Sequence, residues 1–109
     1  MEKSLYYILD GKKPIPCNQI EFLSLNQDRK IEKTFFEGVE VSTVFLGLSH
    51  GSDNGLPILF ETLVFGGEFD GYMVRYTNFD DALIGHSKVC YMVDKIAIDR
   101  ENKLKNLGL

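Results

Sequence analysis

The stretch Lys30–Leu46, KIEKTFFEGVEVSTVFL, constrains the fold more than any other part of the chain. Its pattern runs at period two on both sides of Glu37-Gly38, which is the signature of two half-buried strands and not of a helix. A two-residue turn at Glu37-Gly38 sets Phe36 opposite Val39 and Thr34 opposite Val41. A sheet built on such a hairpin has one apolar face, and something else in the chain must cover it.

The rest of the sequence supplies more strands and one good cover. Asp10-Gly11 in SLYYILDGKKPIP is a tight-turn signal between two extended arms, and Pro14 and Pro16 restrict the second arm to a short edge strand. In NQIEFLSL, Asn18 and Glu21 have capping-box spacing, so a brief helix is expected there, ending near Asn26 to Asp28, with Ile20, Phe22, Leu23 and Leu25 as its apolar contacts. PILFETLVF reads as one strong strand after a glycine-rich loop, and GYMVRY returns along it after the wide turn GGEFDG.

From Thr77, which is placed to cap, Asp80 and Asp81 open a helix whose positive end they complement. Phe79, Ala82, Leu83, His86, Val89, Cys90, Val93 and Ile96 recur at three- and four-residue steps and form a stripe suited to packing on a sheet. Gly85 within it costs about 1 kcal/mol relative to alanine, a cost that close approach to a strand offsets. Arg100 interrupts the stripe, which Leu104 and Leu107 extend, so 97–109 are read as a helical tail that projects, frays or packs on a partner. The expected fold is therefore α+β: an antiparallel meander of about four long strands beside a short N-terminal hairpin, covered by a long C-terminal helix and one short helix.

With 109 residues, 44% of them hydrophobic, the chain suits a single domain, 1–109, with one core. Its net charge of −4 comes from scattered acids, which disfavours a nucleic-acid surface. No apolar run reaches bilayer length, and the two distant cysteines, Cys17 and Cys90, suggest a reducing, cytoplasmic setting with Cys90 buried as a small hydrophobe.

No motif carries chemistry by itself. His50, at the glycine-flanked end of VSTVFLGLSHG, has the position of a general base or metal ligand, but its bland reading is an exposed loop histidine. Paired ligand spacings such as C-x-x-C are absent, so neither metal nor cofactor is expected. His86 falls on the apolar helix face, where a buried imidazole requires a partner, with Glu61, Ser42, Thr43, Tyr76 or water as candidates. A third arrangement gathers His50, Glu61, Arg75 and Tyr76 at one end of the meander, although strand alternation separates neighbours such as Arg75 and Tyr76. Its bland alternative is a solvated Glu61–Arg75 ion pair on the exposed sheet face. Asp80-Asp81 diverge on the helix and make no carboxylate pair, and GGEFDG lacks the lysine and helix of a phosphate loop.

YILDGKKPIP, VSTVFLGLSHG, LPILFETLVFGG and RYTNFDDALIGH together resemble a widespread group of small phage- and prophage-encoded proteins of uncharacterised role. The resemblance spans about Leu5 to Val93 and marks His50, Glu61, Thr62, Arg75 and His86 as family positions without assigning them roles. Ser49 stands where that group has an aspartate before the histidine, which weakens acid–base chemistry at His50, and Leu56 stands where it has the first of two prolines. The resemblance implies a phage protein acting in the host cytoplasm.

Three functions follow as expectations. The first is a non-enzymatic binding protein, such as an inhibitor or sequestering factor against host defence, with His50, Glu61, Arg75, Tyr76 and His86 as binding residues. Its partner would be a host protein or a small molecule, and it could act as a homo-oligomer. The second is a small hydrolytic or metal-assisted enzyme using His50 with Glu61 or Arg75. The third is a structural or regulatory phage factor docking through its C-terminal helix.

Overall fold

The structure is a computed structural model that describes residues 5–25 and 27–106, with side chains described as far as Lys95. Its elements in chain order are β1 (Tyr6–Asp10), β2 (Lys13–Cys17), α1 (Gln19–Leu25), β3 (Lys30–Phe36), β4 (Val39–Phe45), β5 (Ser52–Asp53), β6 (Leu56–Pro57), β7 (Phe60–Phe65), β8 (Met73–Tyr76) and α2 (Phe79–Asn106). The fold is α+β. A four-stranded antiparallel sheet, ordered β3-β4-β7-β8, carries α2 on one face, and β1-β2 forms a separate hairpin beside it.

The β3–β4 register pairs Phe36 with Val39 and Thr34 with Val41, as the turn at Glu37-Gly38 requires. In β4 and β7, Val41 lies opposite Val64, Thr43 opposite Thr62 and Phe45 opposite Phe60, and all six side chains are buried beneath α2. Alternation sends Ser42, Val44, Glu61 and Leu63 to the other face.

The apolar interior falls into two clusters. One joins Tyr7, Phe45, Leu59, Phe60 and Ala82, and the other joins Val41, Val64, Val89 and Val93. Thr43, Thr62 and His86, also buried, occupy the layer between them.

The N-terminal hairpin is tied to the chain just beyond β4: Tyr7 N–H donates to the Gly47 carbonyl at 2.8 Å and Ser49 N–H to the Leu5 carbonyl at 2.9 Å. The Gln27 amide imitates a strand neighbour, accepting from Leu9 N–H at 2.9 Å and donating to the Leu9 carbonyl at 2.7 Å. At α1 the capping box forms in both directions, Glu21 N–H to Asn18 Oδ1 at 2.8 Å and Asn18 N–H to Glu21 Oε1 at 3.2 Å.

Several expectations are corrected. In α1 only Phe22 packs inward, its ring centroid 5.4 Å from that of Tyr6, while Ile20, Leu23 and Leu25 face solvent because a seven-residue helix reaches the hairpin with one side only. PILFETLVF is not one strand. Asn54 and Gly55, with φ of 50° and 80°, form the positive-φ turn of a miniature hairpin between β5 and β6, so Pro57 pairs with Ser52 and β7 begins only at Phe60. The fourth meander strand, β8, has four residues and is short. The α2 cap is Asn78, one residue after Thr77: Asp81 N–H donates to Asn78 Oδ1 at 2.8 Å, and the Asn78 amide returns a bond to Asp81 at 2.9 Å. Cys90 is half-buried at a groove and not sealed in the core. The continuation of the stripe through Ile96, Arg100 and Leu104 lies beyond the described side chains, and Leu107 lies outside the described residues.

Candidate functional site

One helix cannot roof four strands. A helix is about 10 Å across and four strands span about 14 Å between their outer axes, so α2 sits over the two inner strands and leaves a groove above each edge strand. The groove over β3, about 490 Å³, is lined by Glu32, Thr34, Leu83, His86, Ser87 and Cys90. The groove over β8, about 460 Å³, has Tyr72, Val74, Tyr76, Ile84 and Met92 as walls and Asp81 and Lys88 among its polar lining.

Between the grooves runs a chain of hydrogen bonds. His86 Nε2 lies 2.9 Å from Thr34 Oγ1 and Nδ1 lies 2.7 Å from Thr43 Oγ1. Thr43 Oγ1 is 2.5 Å from Thr62 Oγ1, and the Tyr76 hydroxyl donates to Thr62 Oγ1 at 3.0 Å. The partner for the buried imidazole is thus Thr43, with Thr34 on its other nitrogen. Glu61 is on the opposite sheet face.

One proton order spends every hydroxyl hydrogen inside this chain: Tyr76 donates to Thr62, Thr62 to Thr43 and Thr43 to His86 Nδ1. In that order His86 is the Nε2–H tautomer and donates to Thr34, which shares its groove with the Cys90 thiol.

The electrostatics favour neutrality throughout. Burial lowers the His86 pKa below its ordinary value, with Glu32 pulling it back upward. Burial raises the Tyr76 hydroxyl, partly offset by its bond to Thr62, and raises the Cys90 thiol despite its bond to Thr34. A neutral imidazole with both nitrogens engaged, beside a protonated thiol, is poorly set up as a base and nucleophile pair.

Gly85 holds one end of this chain in place. It is buried on α2, and a Cβ there would run into the Tyr76 ring, so its missing side chain is what lets Tyr76 lie under the helix with its hydroxyl on Thr62.

The remaining candidates lie elsewhere. His50 is exposed in the loop after β4, its N–H donating to the Ile58 carbonyl at 3.0 Å. Glu61 and Arg75, directly opposite in register, form an ion pair at 3.1 Å on the sheet face away from α2. Tyr76 faces α2. The gathering of His50, Glu61, Arg75 and Tyr76 on one surface is therefore not what the fold builds. Among the described residues, no group of three or more His, Cys, Asp or Glu side chains is placed to hold a metal ion, and no helix is long and apolar enough to cross a membrane.

Sequence reasoning singled out His86, Thr43, Thr62 and Tyr76 but did not join them, and it passed over Thr34 and Cys90 as parts of a site. The signal for the join was present in the hairpin register. Thr34 pairs with Val41, two residues from Thr43, so both threonines lie on the face that meets His86.

The face away from α2 carries a second feature. Phe35, Phe65 and Met73 protrude there at 70%, 47% and 45% exposure, Phe35 and Phe65 on either side of Glu40 and Met73 opposite half-buried Leu63. Four of its charges are paired, Lys33 with Glu40 at 3.8 Å and Arg75 with Glu61, and Lys30, opposite Val44, adds a fifth.

No protein-family profile matches the chain, and it matches neither a curated protein nor a solved structure.

Proposed function

We propose that this chain is a non-enzymatic binding protein that engages a protein partner through the sheet face opposite α2. The observation that carries this reading is that uncovered face: an amphipathic helix roofs one side of the sheet, while the other presents Phe35, Phe65 and Met73 to solvent. Three large apolar side chains exposed on one sheet face give a partner apolar surface to bury. Because Lys33 with Glu40 and Arg75 with Glu61 already neutralise each other, a partner can cover these four charges without leaving any of them unpaired. The residues expected to act as acid, base or metal ligand are dispersed over a loop and two opposite faces, which supports binding over catalysis. The resemblance to phage and prophage proteins directs the search for the partner to a host cell, and a component of host defence is the reading we favour.

The test is native mass spectrometry of the tagged chain after incubation with host extract, run beside a Phe35→Ser/Phe65→Ser variant and a loop control, His50→Ala. A stoichiometric complex that forms with the original chain and with His50→Ala but not with the double variant supports the reading. Equal complex formation by the double variant, or no complex at all, overturns it.

The length of α2 favours a second reading. Its 28 residues extend about 42 Å, whereas strands of seven residues reach about 24 Å, so its C-terminal half runs past the sheet. If that projection is the docking element, a chain truncated after Ile96 stays folded but loses the partner.

A further inference from the structure

The polar chain under α2 joins two water-accessible grooves, each far larger than the roughly 30 Å³ share of one water molecule. One end is the Tyr76 hydroxyl at the β8 groove, and the other is Thr34 with Cys90 at the β3 groove. Its middle, Thr43, Thr62 and His86, is buried, and no buried side-chain nitrogen or oxygen among the described residues lacks a partner. In the order from Tyr76 through Thr62 and Thr43 to Nδ1, each hydroxyl hydrogen is spent on the next oxygen or nitrogen, so reversing one bond shifts the next.

We propose that these side chains form one proton-coupled unit: when His86 accepts a second proton at Nδ1, the limb from Thr43 through Thr62 to Tyr76 reverses, and Tyr76 turns its hydroxyl proton into the β8 groove. The step balances. A hydronium ion in the β8 groove gives a proton to the Tyr76 oxygen and leaves as water, Tyr76 passes its original proton to Thr62, Thr62 passes its own to Thr43, and Thr43 passes its own to Nδ1. No bond between heavy atoms changes and no oxidant or reductant is involved. The other limb keeps its direction, since Nε2–H donates to Thr34 in both states.

The charged state has a defined electrostatic setting. From β3, Glu32 faces His86, while β4 and β7 present only threonine hydroxyls on that face, and their Glu40 and Glu61 lie on the other side of the sheet. On α2 the neighbour is Cys90, itself acted on by Asp94, and from β8 it is Tyr76, with Asp81 and Lys88 lining that groove. A groove ligand carrying an acceptor opposite Tyr76 therefore binds better to the charged form and, by reciprocity, promotes His86 protonation.

The experiment is NMR on the full chain, labelled to observe both His86 ring nitrogens and the Tyr76 13Cζ, from pH 8 downward. The expected result is an Nε2–H tautomer at high pH and a Tyr76 shift that titrates with the His86 midpoint. That joint titration disappears in Thr62→Val and returns in Thr62→Ser, which keeps the hydroxyl. An Nδ1–H tautomer, a Tyr76 signal that stays still through the His86 titration, persistence of the coupling in Thr62→Val, or a His86 that remains neutral until the chain unfolds would each overturn the proposal. The measurements on the unsubstituted chain decide the matter even if Thr62→Val does not fold.

Discussion

Gly85→Ala tests whether the packing of α2 on Tyr76 is as close as the structure shows. In an ordinary helix interior the substitution adds about 1 kcal/mol of stability. Here the new methyl meets the Tyr76 ring, which is half-buried and hydrogen-bonded to Thr62, so the ring must move. Overpacking costs about 2 kcal/mol, and losing the Tyr76–Thr62 bond costs about 1 kcal/mol more. The net expectation is a loss of about 2 kcal/mol, or roughly 8 °C in Tm for a domain of this size. The assay is urea and thermal unfolding followed by circular dichroism in two backgrounds. With Tyr76→Ala already in place the clash is gone, and Gly85→Ala should reverse sign, stabilising by about 1 kcal/mol. An effect of equal size and sign in both backgrounds would refute the argument, because it would place the cost somewhere other than the Tyr76 contact.

Thr43→Val keeps the shape of a fully buried side chain but leaves His86 Nδ1 unpaired, and should cost about 1–3 kcal/mol in urea unfolding. By contrast, Glu61→Gln, at a partly exposed ion pair, should change stability by no more than about 1 kcal/mol. Because burial lowers the folded-state His86 pKa below its ordinary 6.5, the unfolded chain takes up that proton first. Its contribution to stability is therefore complete above about pH 6.5 and is lost as the pH falls through the lowered value, with a slope no steeper than about 1.4 kcal/mol per pH unit. Unfolding measured from pH 8 to pH 5 should show this component in the original chain and lack it in His86→Leu. Replacing Thr43 and Thr62 by valine together with His86→Leu removes the centre of the chain as a unit, and should cost less than Thr43→Val does alone, since Thr34 and Tyr76 still reach water in their grooves; a larger loss counts against the accounting.

Much of the fold was legible in short-range pattern. Alternation around Glu37-Gly38 located the turn and the pairing of β3 with β4, whose second strand ends at Phe45, one residue before Leu46, and the three- and four-residue stripe identified which side of α2 would be buried, because both signals are periodicities that one exposed and one covered face impose. The errors arose where a local signal was overridden or unread. Asn54-Gly55 is itself a hairpin signal, yet it lies in a stretch that reads as a glycine-rich loop, which hides β5 and β6. Thr77 and Asn78 are both good caps, and sequence alone does not say which has its side chain over the first turn. Composition records polarity but not whether anything covers a side chain, so the apolar contacts expected of α1 include Ile20 and Leu23, which the structure leaves exposed. The site was legible only as parts: His86 was conspicuous on an apolar stripe, but its partners come from strands more than forty residues away, and only tertiary register brings them together.

That register also gives the threonines a structural reason to be polar. Sliding β4 along β7 by one residue would turn Val41 and Phe45 to the open face, so hydrophobic alternation forbids it. Sliding by two residues is different, since every side chain keeps its face and only the pairing changes. In that case Thr43 would meet Phe60 or Val64 instead of Thr62, and Thr62 would meet Phe45 or Val41. Each stranded hydroxyl would then cost about 1–3 kcal/mol in a core whose net stability is typically only about 5–15 kcal/mol. The hydroxyl layer between two apolar clusters therefore selects among the registers that hydrophobicity alone leaves open, and the imidazole of His86 extends that selection to the helix, because Nδ1 and Nε2 reach Thr43 and Thr34 at one axial position of α2 only.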